Sequence, residues 1–282
     1  MSSSPSSPTV GPFGPAISST QDSPELAAAY EEVSTHQFEH GKQLIGALSL
    51  SEGERVLDIG AGTGRLGAYV AGLVGPSGYV IGIDPLPLRI EIARSKAIAN
   101  FEARVGGAED LSEFENDGFD VVYLNSVFHW VGDKPRALAE MFRVLKPNGR
   151  VGLNCQDPDR PHQSRILVRQ AVAKAAIKLD PQIAYPSLGV SGDELKELVK
   201  AAGFVEYVGE LRTFIDTFTD VDALLTWSSS STFGNFLLDV AVADRARVRE
   251  ALGHLLEPKR SPQGIQLERY LTFVTARKPP ED

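Results

Sequence analysis

Residues 56–66 read VLDIGAGTGRL: Val56, Leu57, Asp58, Ile59, Gly60, Ala61, Gly62, Thr63, Gly64, Arg65 and Leu66. A short apolar run meets an acid and then three glycines at alternate positions. Glycine reaches positive φ without penalty and carries no Cβ, so a strand that ends this way and turns into a helix brings bare backbone and amide hydrogens up to a bound molecule. The spacing matters. A dinucleotide fingerprint wants glycines at the first, third and sixth places, but counting from Gly60 the fifth place is Gly64 and the sixth is Arg65. Either pattern alone also describes a tight turn, so its meaning rests on its surroundings.

Around this stretch, strands and helices alternate. The patterning predicts strands at 55–59, 79–83, 103–105, 119–125 and 150–154, with helices at 64–73, 86–100 and 134–144 between them. The strands are continuous apolar runs, which argues for a parallel sheet covered by helices on both faces, with ligands at the strands' carboxyl ends. Upstream, apolar residues at helical spacing (Leu26, Tyr30, Val33, Phe38, Leu44, Ile45, Leu48) predict one or two helices over 24–48, with Gly41 as a break point. Downstream the rhythm loosens. Helices are expected at 163–178 and 191–202, the second opened by Ser191 and Glu194 as a capping box and closed by Gly203. Strands follow at 204–215 and 265–277, and the residues between them, helical at 220–228 and 236–256, are too many for an ordinary hairpin loop. The expected fold is α/β: a Rossmann-like doubly wound sheet of about seven strands, mostly parallel with an antiparallel last strand, plus N-terminal helices and a helical lid.

The 282 residues with 42% hydrophobic content suffice for one sizeable core. Residues 1–23 are Ser, Pro and Gly with little to bury and are expected to form a disordered tail. The rest, 24–282, reads as a single domain: N-terminal helices at 24–50, a cofactor-binding core at 51–155, and substrate-covering insertions at 156–190 and 216–262. A net charge of −9 repels a phosphate backbone, which argues against nucleic acid as a partner. A single cysteine, Cys155, excludes an internal disulfide and suits a reducing compartment. No apolar window is long enough to cross a bilayer and the N-terminus lacks a signal-peptide pattern, so a soluble cytoplasmic protein is expected, as monomer or homodimer.

With its acid two residues before the first glycine, the 56–66 stretch resembles motif I of class I S-adenosylmethionine-dependent methyltransferases. The next strand, YVIGID (79–84), ends in an acid 24 positions after Gly60, where the family holds both ribose hydroxyls of its cofactor. Rossmann dehydrogenases use an acid similarly. Separation comes from FDVVYLNSVFHW (119–130) and RALAEMFRVLKPNGR (136–150), which resemble the fourth strand, helix and fifth-strand entry of the small-molecule branch. The resemblance implies S-adenosylmethionine as cofactor, contacted by Tyr30, Gln37, Asp58, Gly60, Ala61, Gly62, Gly64, Asp84, Pro85, Leu86, Ala108, Glu109 and Asn125. One departure stands out: the branch usually reads GDAE after strand three, its acid meeting the adenine amino group, and here the run is Gly106, Gly107, Ala108, Glu109. Either Glu109 or a backbone carbonyl substitutes, or adenine is held by packing against Pro85 and Leu86.

Several side chains admit two readings. Asp58 suits a cofactor-facing group or a brace for the glycine turn. Asn125 more naturally offers its backbone than its side chain to the cofactor's amino group. Tyr30 and Gln37 sit where the family's leading helices fold over the cofactor's carboxylate, and plain helix packing accounts for them equally. His129 follows the fourth strand, where an imidazole of ordinary pKa near 6.5 could act as a base, orient a substrate or support the turn. Trp227, Phe233 and Phe236 line an apolar substrate cavity if the insertion is a lid, or pin the insertion to the body if it is not, while Trp130 beside His129 reads as core or as part of substrate recognition. His36, His40, His162 and His254 show no metal-ligand spacing, and no metal is expected. The NSVFHW run (125–130) resembles carboxyl O-methyltransferases of small acids, so O-methylation of a small organic acceptor in secondary metabolism is the leading expectation. C- or N-methylation, a nicotinamide-dependent oxidoreductase and a non-catalytic binding module remain as alternatives.

Overall fold

The computed structural model describes residues 22–179, 189–230, 235–237 and 239–281. In chain order the elements are α1 (Pro24–Val33), α2 (Thr35–Leu48), β1 (Arg55–Ile59), α3 (Arg65–Val74), β2 (Tyr79–Asp84), α4 (Pro87–Ser95), β3 (Phe101–Val105) and β4 (Phe119–Asn125). There follow α5 (Lys134–Val144), β5 (Leu145–Gln156), α6 (Gln163–Lys174), α7 (Gly192–Ala201), β6 (Val205–Phe218), α8 (Val221–Ser229), α9 (Arg245–Leu256), β7 (Arg260–Ser261) and β8 (Gly264–Arg277). The strands form one sheet in the order β3-β2-β1-β4-β5-β8-β6, with β7 paired to β8. β1 to β5 run parallel, and β8 is antiparallel to both of its long neighbours, β5 and β6. Strand order reverses between β1 and β4, and a crevice opens at such a switch point above the carboxyl ends.

The apolar runs are explained by burial on both faces. Leu57, Ile81 and Val122 enter one cluster with α5 and α7, while their neighbours Val56, Val80 and Val121 enter another with α2, α3 and α4. Each such aliphatic side chain contributes about 1.5–3 kcal/mol when fully buried, so a one-residue slip in register would expose one set and is strongly disfavoured. A third cluster joins α6, α8 and α9 to the first residues of β8 through Val168, Leu224, Phe236, Leu252 and Leu267. The segment between β6 and β8 therefore shares a small core with α6. Among the described residues no helix is long and apolar enough to cross a membrane.

Differences from the sequence expectation have local causes. α4 stops at Ser95 instead of near 100 because the chain turns at Ala97 (φ 51°), which lets the Asn100 side-chain amide donate to the carbonyls of Ala71 and Gly75 at 2.9 and 2.8 Å. β5 begins five residues early, at Leu145, carrying the LKPNG stretch into the sheet with Asn148 at φ 62°. Within 236–256 the α-helix begins only at Arg245. Ser23, assigned to the tail by composition, caps α1 by accepting the Leu26 amide at 3.2 Å, and Asp22 ion-pairs with Arg89 at 3.3 Å.

Candidate active site

The glycine turn is sewn to the neighbouring strand. Gly60 and Ala61 both donate their amide hydrogens to the Ile83 carbonyl, at 2.7 and 2.9 Å, and Gly62 donates to Asp84 Oδ2 at 2.9 Å. These three amides thus serve β2, correcting the expectation that they point at a ligand; what the turn bares is its Cβ-free surface. A Cβ on Gly60, whose φ is 78°, would lie 2.2 Å from Val127 Cγ2. One on Gly62 would meet Tyr30 Cε1 at 3.4 Å, and one on Gly64 would press on Ala93 and Phe101 at 2.9 Å.

Above the turn lies a cavity of about 360 Å³. Gly60, Gly62, Asp84, Pro85, Leu86, Gly107, Ala108 and Glu109 line one end of it. Glu109 accepts the Gly132 amide at Oε1 (2.9 Å), and its Oε2 lies 3.7 Å from where a Gly107 Cβ would be, so its carboxylate occupies the region in front of Gly107. A smaller cavity of about 40 Å³ adjoins, lined by Ser34, Asp58, Ala61, Thr63 and Arg65, and Tyr30, Gln37, Gly60 and Asn125 border both. Gly64 borders neither, and its bare α-carbon serves packing. The Asn125 side chain is committed to the protein, donating to the Gln37 carbonyl at 2.9 Å and accepting from Asn154 at 2.8 Å.

Asp58 is 2% exposed and its Oδ2 has no hydrogen-bond partner among the described residues. Burial pushes its carboxyl up to about 7, with the Asp84 charge adding to the rise and the Tyr123 hydroxyl opposing it. Burial likewise raises Asp84, against the amides of Leu86 and Gly62 and the Arg89 charge. Gln37 Oε1 is a second buried acceptor without a partner among the described residues.

The far end of the large cavity is walled by His129, Trp130, Gln156, His162, Arg165, Trp227, Phe236 and Arg269. His129 sits on a 3-10 turn (Phe128–Trp130) after β4, its ring 4.7 Å from that of Trp130 and its Nδ1 without a partner among the described residues. Burial, reinforced by the charges of Arg165, Lys134 and Arg269, pushes it down to about 3, so the imidazole is neutral at pH 7. Trp227 lines the cavity and also packs against Phe218 and Phe236, with the Arg269 guanidinium 4.9 Å over its ring. Phe233 lies outside the described residues. Behind this wall Asp216 accepts from Arg269 at 2.6 Å and from His162 at 3.2 Å, and His40 stands 3.7 Å away.

Sequence reasoning missed Arg89, Gln156, His162, Arg165 and Arg269 as lining residues. A signal existed for one pair. In β6 and β8 the inward positions read Phe214, Asp216, Phe218 and Leu267, Arg269, Leu271, so a charge stands in the apolar register of each of two adjacent strands. Charges in that register must pair. Arg165 and Gln156 offered no comparable pattern.

The switch-point crevice, the glycine turn and the β2 acid define a Rossmann-like domain with a site suited to a nucleoside-bearing ligand. A family model described as a methyltransferase domain matches residues 50–203, more than half of the chain, and the chain belongs to that family of S-adenosylmethionine-dependent methyltransferases. It is 31% identical over 189 residues to a demethylmenaquinone methyltransferase of Symbiobacterium thermophilum, covering 58% of this chain and 74% of that protein. It is 35% identical over 138 residues to an arsenite methyltransferase of Aquipseudomonas alcaligenes, covering 45% of this chain and 39% of that one. Against a ubiquinone/menaquinone biosynthesis C-methyltransferase of Vibrio campbellii identity is 40% over 104 residues, or 35% of this chain and 40% of the relative. The match thus spans about two fifths of the length of the last two relatives. The fold is shared with the YcgJ protein of Bacillus subtilis at a TM-score of 0.57 and 22% identity, covering 87% of this chain and 99% of that one. A putative methyltransferase of Bacillus halodurans gives 0.57 and 20%, covering 86% and 99%.

The residues fit this cofactor. Asp58 and Gln37, each with a buried acceptor oxygen that has no hydrogen-bond partner among the described residues, border the small cavity together with Arg65, Ser34 and Thr63, a set that would hold an ammonium group and a carboxylate. Asp84 still has lone pairs for two ribose hydroxyls after serving Gly62 and Leu86. Pro85, Leu86, Ala108 and Glu109 would hold adenine, with Glu109 in place of the acid missing at Gly107.

Proposed function

We propose that this methyltransferase alkylates an oxygen of a small organic acceptor, a carboxylate or an acidic hydroxyl, and that the reaction belongs to secondary metabolism. The observation that carries the reading is one continuous cavity running from Asp84 and Glu109 to His129 and Trp227, enclosed by α1, α2 and the segments after β5 and β6. S-adenosylmethionine supplies a methyl group on a positively charged sulfur. The protein's part is alignment: Asp84, Gln37 and the turn fix the donor's two ends, and the walls around His129 hold the acceptor and exclude water, since positioning alone supplies much of the rate for an in-line displacement. His129, kept neutral, is a weak proton acceptor and suits orientation of an acceptor that is already ionised. Carboxylates are ionised at neutral pH and need no base.

In this organisation residues 24–50 cover the donor, 51–155 form the cofactor core, and 156–190 with 216–262 shape the acceptor end. The partner is a small molecule, with no role for nucleic acid or a membrane, and the enzyme works in the cytoplasm as a monomer or homodimer. Cys155 is the only cysteine and is buried, its thiol pushed up to about 12, so the chain has no thiolate set suited to arsenic. Similarity to relatives named C-methyltransferases supports a second reading, transfer to a carbon of the acceptor. Incubation with methyl-labelled S-adenosylmethionine and a panel of acids, phenols and amines, with NMR assignment of the labelled carbon, separates the readings. O–CH3 products are expected; labelled C–CH3 alone would favour the second.

A further inference from the structure

We infer that the acceptor is an aromatic or similarly planar acid whose carboxylate is received at the cavity end formed by Arg165 of α6 and Arg269 of β8, an inference that rests on the methyl-transfer reading and names its acceptor class. The cavity is electrically divided. Its donor end is bordered by the carboxylates of Asp84 and Glu109 and by Arg89, whose charge Asp22 answers at 3.3 Å, with Asp58 just beyond. At the other end, among the described residues, the charged lining side chains are Arg165 and Arg269, and no carboxylate lines it. Asp216 neutralises Arg269 from behind, at 1% exposure, and takes no part in the lining.

A second observation gives the same polarity. The charged groups that act on the buried His129 ring are Arg165, Lys134 and Arg269, all cationic. A sulfonium-bearing ligand fits the acidic end, whereas a carboxylate fits the basic end with one oxygen on a guanidinium and the other left to meet the donor's methyl group. The two ligand charges then complement both the walls and each other.

The walls also limit the acceptor's shape. The Arg269 guanidinium lies 4.9 Å over the Trp227 ring and that of Arg165 5.8 Å over Phe236, while the Trp227 and Phe236 rings are 5.9 Å apart. A guanidinium lying over an aromatic ring retains N–H donors that can meet a carboxylate. Five donors per guanidinium let it serve an acceptor alongside its protein neighbours. Trp130 completes an aromatic enclosure that suits a flat apolar body.

The test uses the full chain saturated with S-adenosylhomocysteine and three probes of similar size: salicylate, salicylamide and benzylamine. Calorimetry is expected to give salicylate an affinity at least about 10-fold above salicylamide, with benzylamine weakest. Arg165→Gln should remove that margin and Arg165→Lys should retain most of it, while S-adenosylhomocysteine affinity stays within about twofold in both. Equal binding of salicylamide and salicylate, or a margin that survives Arg165→Gln, overturns the inference. Turnover separates this from the reading beneath it. Acids that bind through Arg165 but are methylated on carbon overturn O-methylation and leave the acceptor class standing; neutral phenols methylated on oxygen with no preference for acids do the reverse.

Discussion

Asp84 clasps Gly62: the glycine amide donates to Oδ2 at 2.9 Å, while the Leu86 amide donates to Oδ1 of the same carboxylate at 2.9 Å. The acid proposed to hold the ribose is thus also the bolt between the β1 turn and the start of α4. Asp84→Ala should weaken S-adenosylhomocysteine binding by about 1–3 kcal/mol, because charged acceptors lost from a buried site leave donors unmet. Asp84→Asn keeps one acceptor oxygen and should fall between. Titration calorimetry reads both, and an affinity indifferent to either change would mean the ribose is held elsewhere.

Asp58 gives a pH signature of known sign. Its carboxyl is pushed up to about 7 in the fold, whereas an unfolded aspartate titrates near 3.9. Between those values the folded chain keeps a proton that the unfolded chain has released, so stability falls as pH rises through the window, by at most ~1.4 kcal/mol per unit, and levels off above it. Asp58→Asn removes this contribution. Denaturant melts should show the variant stabilised relative to the parent at pH 8 and near parity at pH 4, and a difference that ignores pH would contradict the assignment. An ammonium ligand beside Asp58 favours its ionised form, so S-adenosylhomocysteine binding should release protons near pH 6.

Much of this is legible in the sequence. The two-face burial of β1, β2 and β4 wrote itself as unbroken apolar runs, and the glycine turn with Asp84 marked the crevice because both are local in the chain. The acceptor end was not legible. It is assembled from α6, α8 and β8, with Asp216 and His162 separated by 54 residues, and such contacts depend on how the cover packs, which no short-range pattern encodes. The inward charges in β6 and β8 were the exception, visible as interruptions of a period-two apolar face.

Glu109 stands where Gly107 leaves no acid, one oxygen held by Gly132 and the other in front of Gly107. If it receives the adenine amino group, Glu109→Gln should weaken S-adenosylhomocysteine about 10-fold and leave its inosine analogue, which lacks that amino group, nearly unchanged. Equal losses for both ligands would assign Glu109 to bracing the turn at Gly132.

The Asp216 and Arg269 pair should matter to stability more than any exposed ion pair. Burial works to raise Asp216, but Arg269 and the hydrogen bond with His162 outweigh it and hold the carboxyl well below the ordinary range. Asp216→Ala would strand a guanidinium that is 4% exposed as a residue, at a cost of about 3–5 kcal/mol. Replacing both by leucine and methionine should recover part of that loss, since a buried pair gains little over apolar packing. Because the folded carboxyl is depressed, its stabilisation is present above about pH 4 and fades on acidification below it. Urea melts of the single and double variants check this, and a double variant no more stable than the single would deny the desolvation argument.

His129 separates positioning from proton transfer. Burial and three facing cations push it down to about 3, so its protonation state does not change between pH 5 and 8. An orienting imidazole and a base therefore leave different traces. For orientation, kcat with an acid acceptor should be flat over that range and His129→Ala should lower kcat by about 10- to 100-fold, with S-adenosylhomocysteine affinity within about twofold. His129→Asn, which keeps hydrogen-bonding capacity without basicity, should restore a substantial part of the rate. A rising limb near pH 6.5 in the parent that disappears in His129→Asn would instead make the imidazole the proton acceptor, and the acceptor would then be a hydroxyl that must be ionised on the enzyme.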